Sequence, residues 1–254
     1  MTRRPNHFET IKFESIASYQ IGVRSNTFDP QKQSVVLVHG IGVSSAYFVP
    51  LARELAREHN VFALDLPGYG KAPKPRRPLT IEELSELVHA FLEAHSLGGA
   101  IAIGHSMGCQ IIAELLANHG DDISKAILLA PTANAKERTR LKQGMRLFQD
   151  TFIESPRTNF VIFSDYARMG VLRYLKTSGY MVRHRIEDAL ARSSVPTIII
   201  RGADDVIVPE EWTRYLQQNT STVLSVKHIP GAPHAFHFNH ASETAQLCSD
   251  FIEN

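Results

Sequence analysis

Cysteine is almost missing from this chain. Its 254 residues hold two, Cys109 and Cys248, too few for a disulfide framework and not spaced as the C-x-x-C of a redox or metal site. Both fall in helical patterning near apolar neighbours, so buried free thiols are expected. Long apolar runs are missing too. No stretch approaches the roughly 18 residues that would cross a bilayer, and the basic start, Met1-Thr2-Arg3-Arg4, lacks the apolar segment that secretory or twin-arginine export requires. A soluble cytoplasmic protein is the default expectation. An excess of one charge is absent: 27 Lys and Arg stand against 26 Asp and Glu, net +1, which gives no case for a nucleic-acid partner or a stable membrane association. Among 12 histidines there is no H-E-x-x-H pair, and the tightest group, His234, His237 and His240, is not a ligand spacing, so no metal is expected. No G-x-G-x-x-G occurs, and no cofactor is expected.

What is present is an α/β pattern. With 43% apolar and 21% charged residues, the chain is long enough for one large core, and a single domain is expected over 1–254. Two alternating segments, Phe8 to Ser15 and Ile16 to Arg24, suggest an antiparallel pair at a sheet edge. Continuous apolar runs of the kind buried on both faces follow at Ser34 to His39, Val61 to Asp65, Gly99 to Ile103 and Ile123 to Ala130, with helical patterning between them. Strands alternating with helices imply a mostly parallel central sheet with helices on both faces. Beyond Pro131 the strand signal vanishes for about 60 residues, leaving helical patches such as Lys136 to Asp150 and Ile186 to Ala191. It returns at Val195 to Arg201 and again at Thr222 to Ile229. The domain therefore divides into a core, 1–130 and 195–254, and a helical insertion at about 131–194, most simply a cap over the carboxyl ends of the strands. That insertion carries 12 Lys and Arg against 6 Asp and Glu, while the remainder carries 15 against 20. A solvated helix face accounts for the excess more simply than an anion-binding site does.

Chemistry enters at Gly104-His105-Ser106-Met107-Gly108, a G-x-S-x-G between an apolar strand and the helical pattern of Gln110 to Leu116. A strand turning sharply into a helix through such a serine strains its backbone and lifts the hydroxyl to the top of the sheet. A serine needs a base, an orienter for that base and donors for an oxyanion. Acid candidates, Asp204 and Asp205, follow the strand ending at Arg201. Base candidates follow the last strand, in Pro230-Gly231-Ala232-Pro233-His234 and, farther on, at His237 and His240. The order Ser, Asp, His is that of a nucleophile-elbow hydrolase.

From about residue 8 to residue 252 the chain resembles the α/β-hydrolase superfamily. The resemblance aligns the family's G-x-x-D-x-x-V-P acid loop on Asp205 and its P-G-x-x-H turn on His234, which implies a catalytic Ser106, Asp205 and His234. It also implies oxyanion donors at the backbone amides of Ile41 and Met107, with His39 supporting the loop and Asp65 to Lys71 serving as turn architecture. A serine at position 106 argues against epoxide hydrolases and haloalkane dehalogenases of this fold, which use aspartate there. Small esterases and the carbon-carbon hydrolases of ring-cleavage products are similar in build. The latter usually carry Asn, Gly, a Gly-Pro-Gly element and Trp where this chain has His105, Cys109, Gly42-Val43-Ser44 and Ala235, so the expectation is a serine carboxylesterase acting on a medium-sized, mostly apolar ester. Carbon-carbon hydrolysis, thioester or lactone hydrolysis, and a receptor on the same scaffold remain alternatives. Phe148, Phe152, Phe163, Tyr166 and Met169 are the expected pocket residues, with Phe160, Tyr174 and Met181 beside them; packing between cap and sheet would use the same side chains. A homodimer is left open.

Overall fold

The computed structural model describes Phe8 and residues 10–254, so the basic opening segment lies outside the described residues. Eight strands form one sheet in the order β1-β2-β4-β3-β5-β6-β7-β8. The hairpin of β1 (Lys12–Ile16) and β2 (Tyr19–Ser25) is antiparallel and forms one edge, and β2 also runs antiparallel to β4 (Asn60–Asp65). From β4 onward every pairing is parallel, through β3 (Ser34–Val38), β5 (Ala100–His105), β6 (Ile123–Leu129), β7 (Thr197–Gly202) and β8 (Val223–Ile229). The central runs read as unbroken Val, Ile, Leu and Ala because helices cover both faces. Every residue of β4, β5 and β7 is buried.

Helices return the chain between strands. α1 (Val49–Leu55) carries Pro50 in its first turn, where a missing N–H costs nothing. α2 (Ile81–Ala94) opens on the capping box of Thr80 and Glu83, each side chain taking a backbone N–H of the other. α3 (Met107–His119) is buried along its first ten residues, because the sheet lies beneath it and α2 and α7 flank it. Between β6 and β7 the chain is helical, as expected: α4 (Arg140–Thr151), α5 (Pro156–Met169), α6 (Val171–Arg183) and α7 (Ile186–Ala191). α7 differs from the other three in packing on α3 and α8 (Glu210–Asn219), within the layer that covers the sheet. The short α9 (Phe236–Asn239) and α10 (Ala241–Glu253) finish the fold. Cys109 and Cys248 are buried and free, as read from the sequence. No helix of the described residues is long and apolar enough to cross a membrane.

Candidate active site

Ser106 is the residue between β5 and α3, and its backbone shows what the flanking glycines are for. It sits at φ 56°, ψ −118°, a conformation that side chains other than glycine's rarely occupy. A Cβ on Gly104 would stand 2.5 Å from the Gly108 carbonyl oxygen, and one on Gly108 would stand 2.1 Å from that of Val38. Only two bare backbones let strand, turn and helix approach so closely. Ser106 is held by its own N–H, which donates to the Leu129 carbonyl at 2.9 Å. Its neighbour Met107 is the first residue of α3, where a backbone N–H has no intrahelical acceptor and the helix dipole is positive.

Asp205 and His234 meet from two loops at the carboxyl ends of β7 and β8. Asp205 Oδ1 accepts the backbone N–H groups of Ile207 and Val208 at 2.8 and 2.9 Å, and Oδ2 lies 2.8 Å from His234 Nδ1. Asp205 is buried while Asp204 is exposed. Gly202 makes the meeting possible, since a Cβ there would fall 2.1 Å from the Ala232 carbonyl of the histidine loop. Burial by itself lowers the His234 pKa, but the Asp205 charge and hydrogen bond outweigh it and, with Asp150 and Glu154 adding, raise it to about 9. His237 is fully buried against Tyr47, Phe48 and His105, and burial lowers it to about 3; it is a neutral packing residue. His240 lies at the start of α10, 2.9 Å from Glu243 Oε2.

The loop after β3 closes the third side. His39 donates from Nδ1 to the Gly40 carbonyl at 2.8 Å and accepts the Leu66 N–H at Nε2, 3.2 Å, so its ring is a neutral brace for that loop. A buried relay then links the loop to both other parts. Gly40 N–H donates to the Tyr47 hydroxyl, which lies 2.9 Å from His105 Nδ1, and His105 Nε2 lies 3.0 Å from the His234 carbonyl oxygen. This fixes a neutral tautomer on His105, whose pKa burial holds well below the ordinary value. Position 105 therefore has a structural reason to be histidine, one that the sequence did not reveal.

Gly40, Ile41, Ser106 and His234 line one cavity of about 160 Å³, whose lining is mostly apolar. A model of the alpha/beta hydrolase family matches residues 35–247. The chain belongs to that family. A pimeloyl-[acyl-carrier protein] methyl ester esterase of Neisseria meningitidis is 26% identical over 246 residues, covering 87% of this chain and 94% of its own. A probable lysophospholipase of Arabidopsis thaliana is 35% identical over 106 residues, but the match spans 39% of this chain and 21% of that protein. Among solved structures, a bromoperoxidase of Bacillus anthracis superposes with a TM-score of 0.82 at 19% identity over 96% of this chain and all of its own, a likeness of fold.

In this alpha/beta hydrolase the cavity is roofed by α4, α5 and α6, and the roof differs from the expected pocket. Of the five predicted pocket residues, Tyr166 alone lines the cavity that holds Ser106. Met169 is buried in the core, and Phe148, Phe152 and Phe163 are exposed. The reason is helical period: Phe148 and Phe152 share the face of α4 that carries Leu141 and Met145, opposite the cavity-lining Gln143, Leu147 and Asp150. Tyr174 and Met181 do line the cavity, and Phe160 does not. Tyr166 reaches it over Gly42, where a Cβ would stand 2.5 Å from the ring. A second cavity of about 450 Å³ shares Leu147, Asp150, Ile162, Tyr166 and Tyr174 with the first and adds Phe148 and Phe163.

Two acids of the roof went unnoticed in the sequence. Asp150 Oδ1 accepts the His234 backbone N–H at 3.3 Å, and Glu154 Oε1 accepts that of Ala235 at 2.6 Å. Burial raises Asp150 to about 6 and Glu154 to about 7. Asp150 lies in the last turn of α4 and Glu154 in the bend that follows it, a spacing visible in the chain; their targets, 84 and 81 residues away, were not. Far from the cavity, His89, His119 and Asp122 come together. The two rings stack at 3.6 Å with planes 10° apart, with His89 Nδ1 2.8 Å from Asp122 Oδ2 and His119 Nε2 3.0 Å from Glu86 Oε1.

Proposed function

We propose that this alpha/beta hydrolase is a serine carboxylesterase working through an acyl-enzyme on Ser106. The observation that carries the reading is the Asp205–His234 pair at 2.8 Å, whose histidine lines one cavity with a serine held in a strained strand-to-helix turn. Asp205 holds the ring with Nδ1 protonated, leaving Nε2 to take the Ser106 proton. Ser106 Oγ attacks the ester carbonyl, and the oxyanion forms against the backbone N–H groups of Ile41 and Met107. His234 then returns the proton to the departing alcohol, and water repeats the sequence to release the acid. The helices of 140–183 act as the cap that shields this chemistry from water, and the family-wide relatives include ester hydrolases. The acyl group occupies the Ser106 cavity, about the size that accommodates a benzene ring.

Incubation with a fluorophosphonate, read by intact mass and by turnover of p-nitrophenyl butyrate, tests this directly. A single adduct on Ser106 together with turnover is expected, and Ser106→Ala should lose both, with kcat down about 10³-fold or more while the melting temperature is kept. An unlabelled protein, or a Ser106→Ala variant of near-normal rate, removes the reading.

A further inference from the structure

The roof that closes the cavity presents an outer face that no described part of the chain covers. Along α4, Leu141, Met145, Phe148 and Phe152 recur at steps of four, three and four residues, a single stripe, and are between 56 and 75% exposed. Phe160 on α5 and Leu172 on α6 are more exposed still, at 77 and 79%. Part of this surface is continuous: Phe148 borders both the surface groove of α4 and the second cavity, whose other walls include Phe163 and Val171. Soluble monomers rarely expose an apolar surface of this breadth without using it.

Cations are set among these side chains. Arg140, Lys142, Arg157 and Lys176 are exposed and make no ion pair among the described residues, although Lys142 Nζ donates to the Lys136 carbonyl at 3.4 Å and the Arg157 guanidinium lies 5.8 Å from the centre of the Phe238 ring. Arg157 stands three residues before Phe160, and Lys176 four residues after Leu172, so each shares the face of its apolar neighbour. The twelve cations against six acids of segment 131–194 are thus the electrostatic side of an amphipathic surface, not only a solvated face. We propose that this face docks on the surface of an anionic lipid bilayer, its aromatic and aliphatic side chains entering the acyl boundary while the exposed cations meet phosphate headgroups.

Two observations favour lipid over another protein. A protein-binding patch concentrates apolar residues in a centre depleted of charge and sends charge to the rim, whereas here Lys and Arg share rows with Phe and Leu, as snorkelling residues do. A second copy docking by the same face would set one basic segment against another, because a two-fold contact opposes like with like. The net charge of +1 had argued against membrane association; its uneven distribution reverses that argument. The mouth of the Ser106 cavity opens on this face, since Leu175 and Arg140 both line the cavity and are exposed. Resting on the proposed esterase activity, docking would let the apolar part of an ester pass from bilayer to cavity without crossing water.

Co-sedimentation of the full chain with phosphatidylcholine vesicles containing about 30 mol% phosphatidylglycerol, and with pure phosphatidylcholine vesicles, tests the docking. Binding to the anionic vesicles is expected, about tenfold or more weaker without the anionic lipid and weakened similarly by 0.5 M NaCl, on the order expected for screened headgroup contacts. The triple variant Phe152→Ser, Phe160→Ser, Leu172→Ser should bind about 100-fold more weakly, while keeping its melting temperature and its turnover of p-nitrophenyl butyrate. Should that variant not fold, Arg157→Glu with Lys176→Glu serves instead, with the same loss expected on anionic vesicles alone. Absence of vesicle binding overturns the proposal, as does binding that neither variant weakens. So does a dimer, seen by sedimentation velocity, that the triple variant dissociates. Vesicle binding without ester turnover would retain the docking and remove the esterase reading.

Discussion

At the residue scale, the charge around His234 decides when the proposed base can work. A general base must be neutral, yet Asp205, Asp150 and Glu154 all favour its cation and raise it to about 9. The sign follows: kcat/KM should climb as pH rises through that value, so its acid limb lies above the 6.5 of an ordinary histidine. Glu154 offers a handle, because it lies in the roof and bonds only the backbone next to His234. Glu154→Gln keeps an acceptor for the Ala235 N–H and removes the charge, which lowers the His234 pKa. The acid limb should move to lower pH, and the rate just above pH 7, where Glu154 is ionised, should rise by about two- to fivefold. A pH–rate profile that stays in place, or moves to higher pH, would show that Glu154 exerts no field on the base.

Within single elements, the close approach of backbones is what holds the site together. The β5–α3 turn rests on Gly108, where an added Cβ would meet carbonyl oxygens of Val38 and His39 at 2.1 and 2.8 Å. These atoms belong to β3 and its following loop, and neither can yield without disturbing the sheet. Gly108→Ala should cost about 2–4 kcal/mol, a fall in melting temperature on the order of 5–15 °C. Gly144 on α4 is the opposite case. A Cβ there meets nothing within 4 Å, so Gly144→Ala should raise stability by about 0.5–1 kcal/mol by lowering the entropy of the unfolded chain. Calorimetric melts of the two variants should move in opposite directions. A Gly108→Ala protein as stable as the parent would mean that the turn can open without cost.

For the molecule as a whole, the roof bounds the space beside Ser106. The cavity there has a volume of about 160 Å³ and shares walls of Leu147, Ile162 and Tyr166 with another of about 450 Å³. If the acyl group takes the smaller space, a p-nitrophenyl ester series should peak at about four to six acyl carbons, in keeping with a benzene-sized void. An optimum at ten or more carbons, on the order of a chain long enough to fill both spaces, would instead assign the larger cavity to the acyl chain. The roof is tied down at separate points, through Ser44 to Asp165 of α5 and through Gln110 Nε2 to the Met181 carbonyl of α6 at 2.9 Å. Size selection is therefore a property of the assembled molecule, not of any one helix.

Local rules made much of this legible in the chain. Apolar runs marked the strands because burial on both faces leaves no place for polar residues, the capping box at Thr80 marked the start of α2, and glycine spacing marked the turn at Ser106. Chain order put the candidate acid and base at the ends of β7 and β8, and the family's acid-loop pattern, through the resemblance, preferred Asp205 to Asp204. The pocket was not legible. A side chain's facing depends on which side of α4 meets the sheet, and composition gives Phe148 and Leu147 equal standing although one is outside and the other in. Nor could sequence join Asp150 to His234, Tyr47 to His105, or the basic residues of the roof to its apolar stripe. Those are contacts between distant segments, and only the packing of the insertion over the sheet decides them.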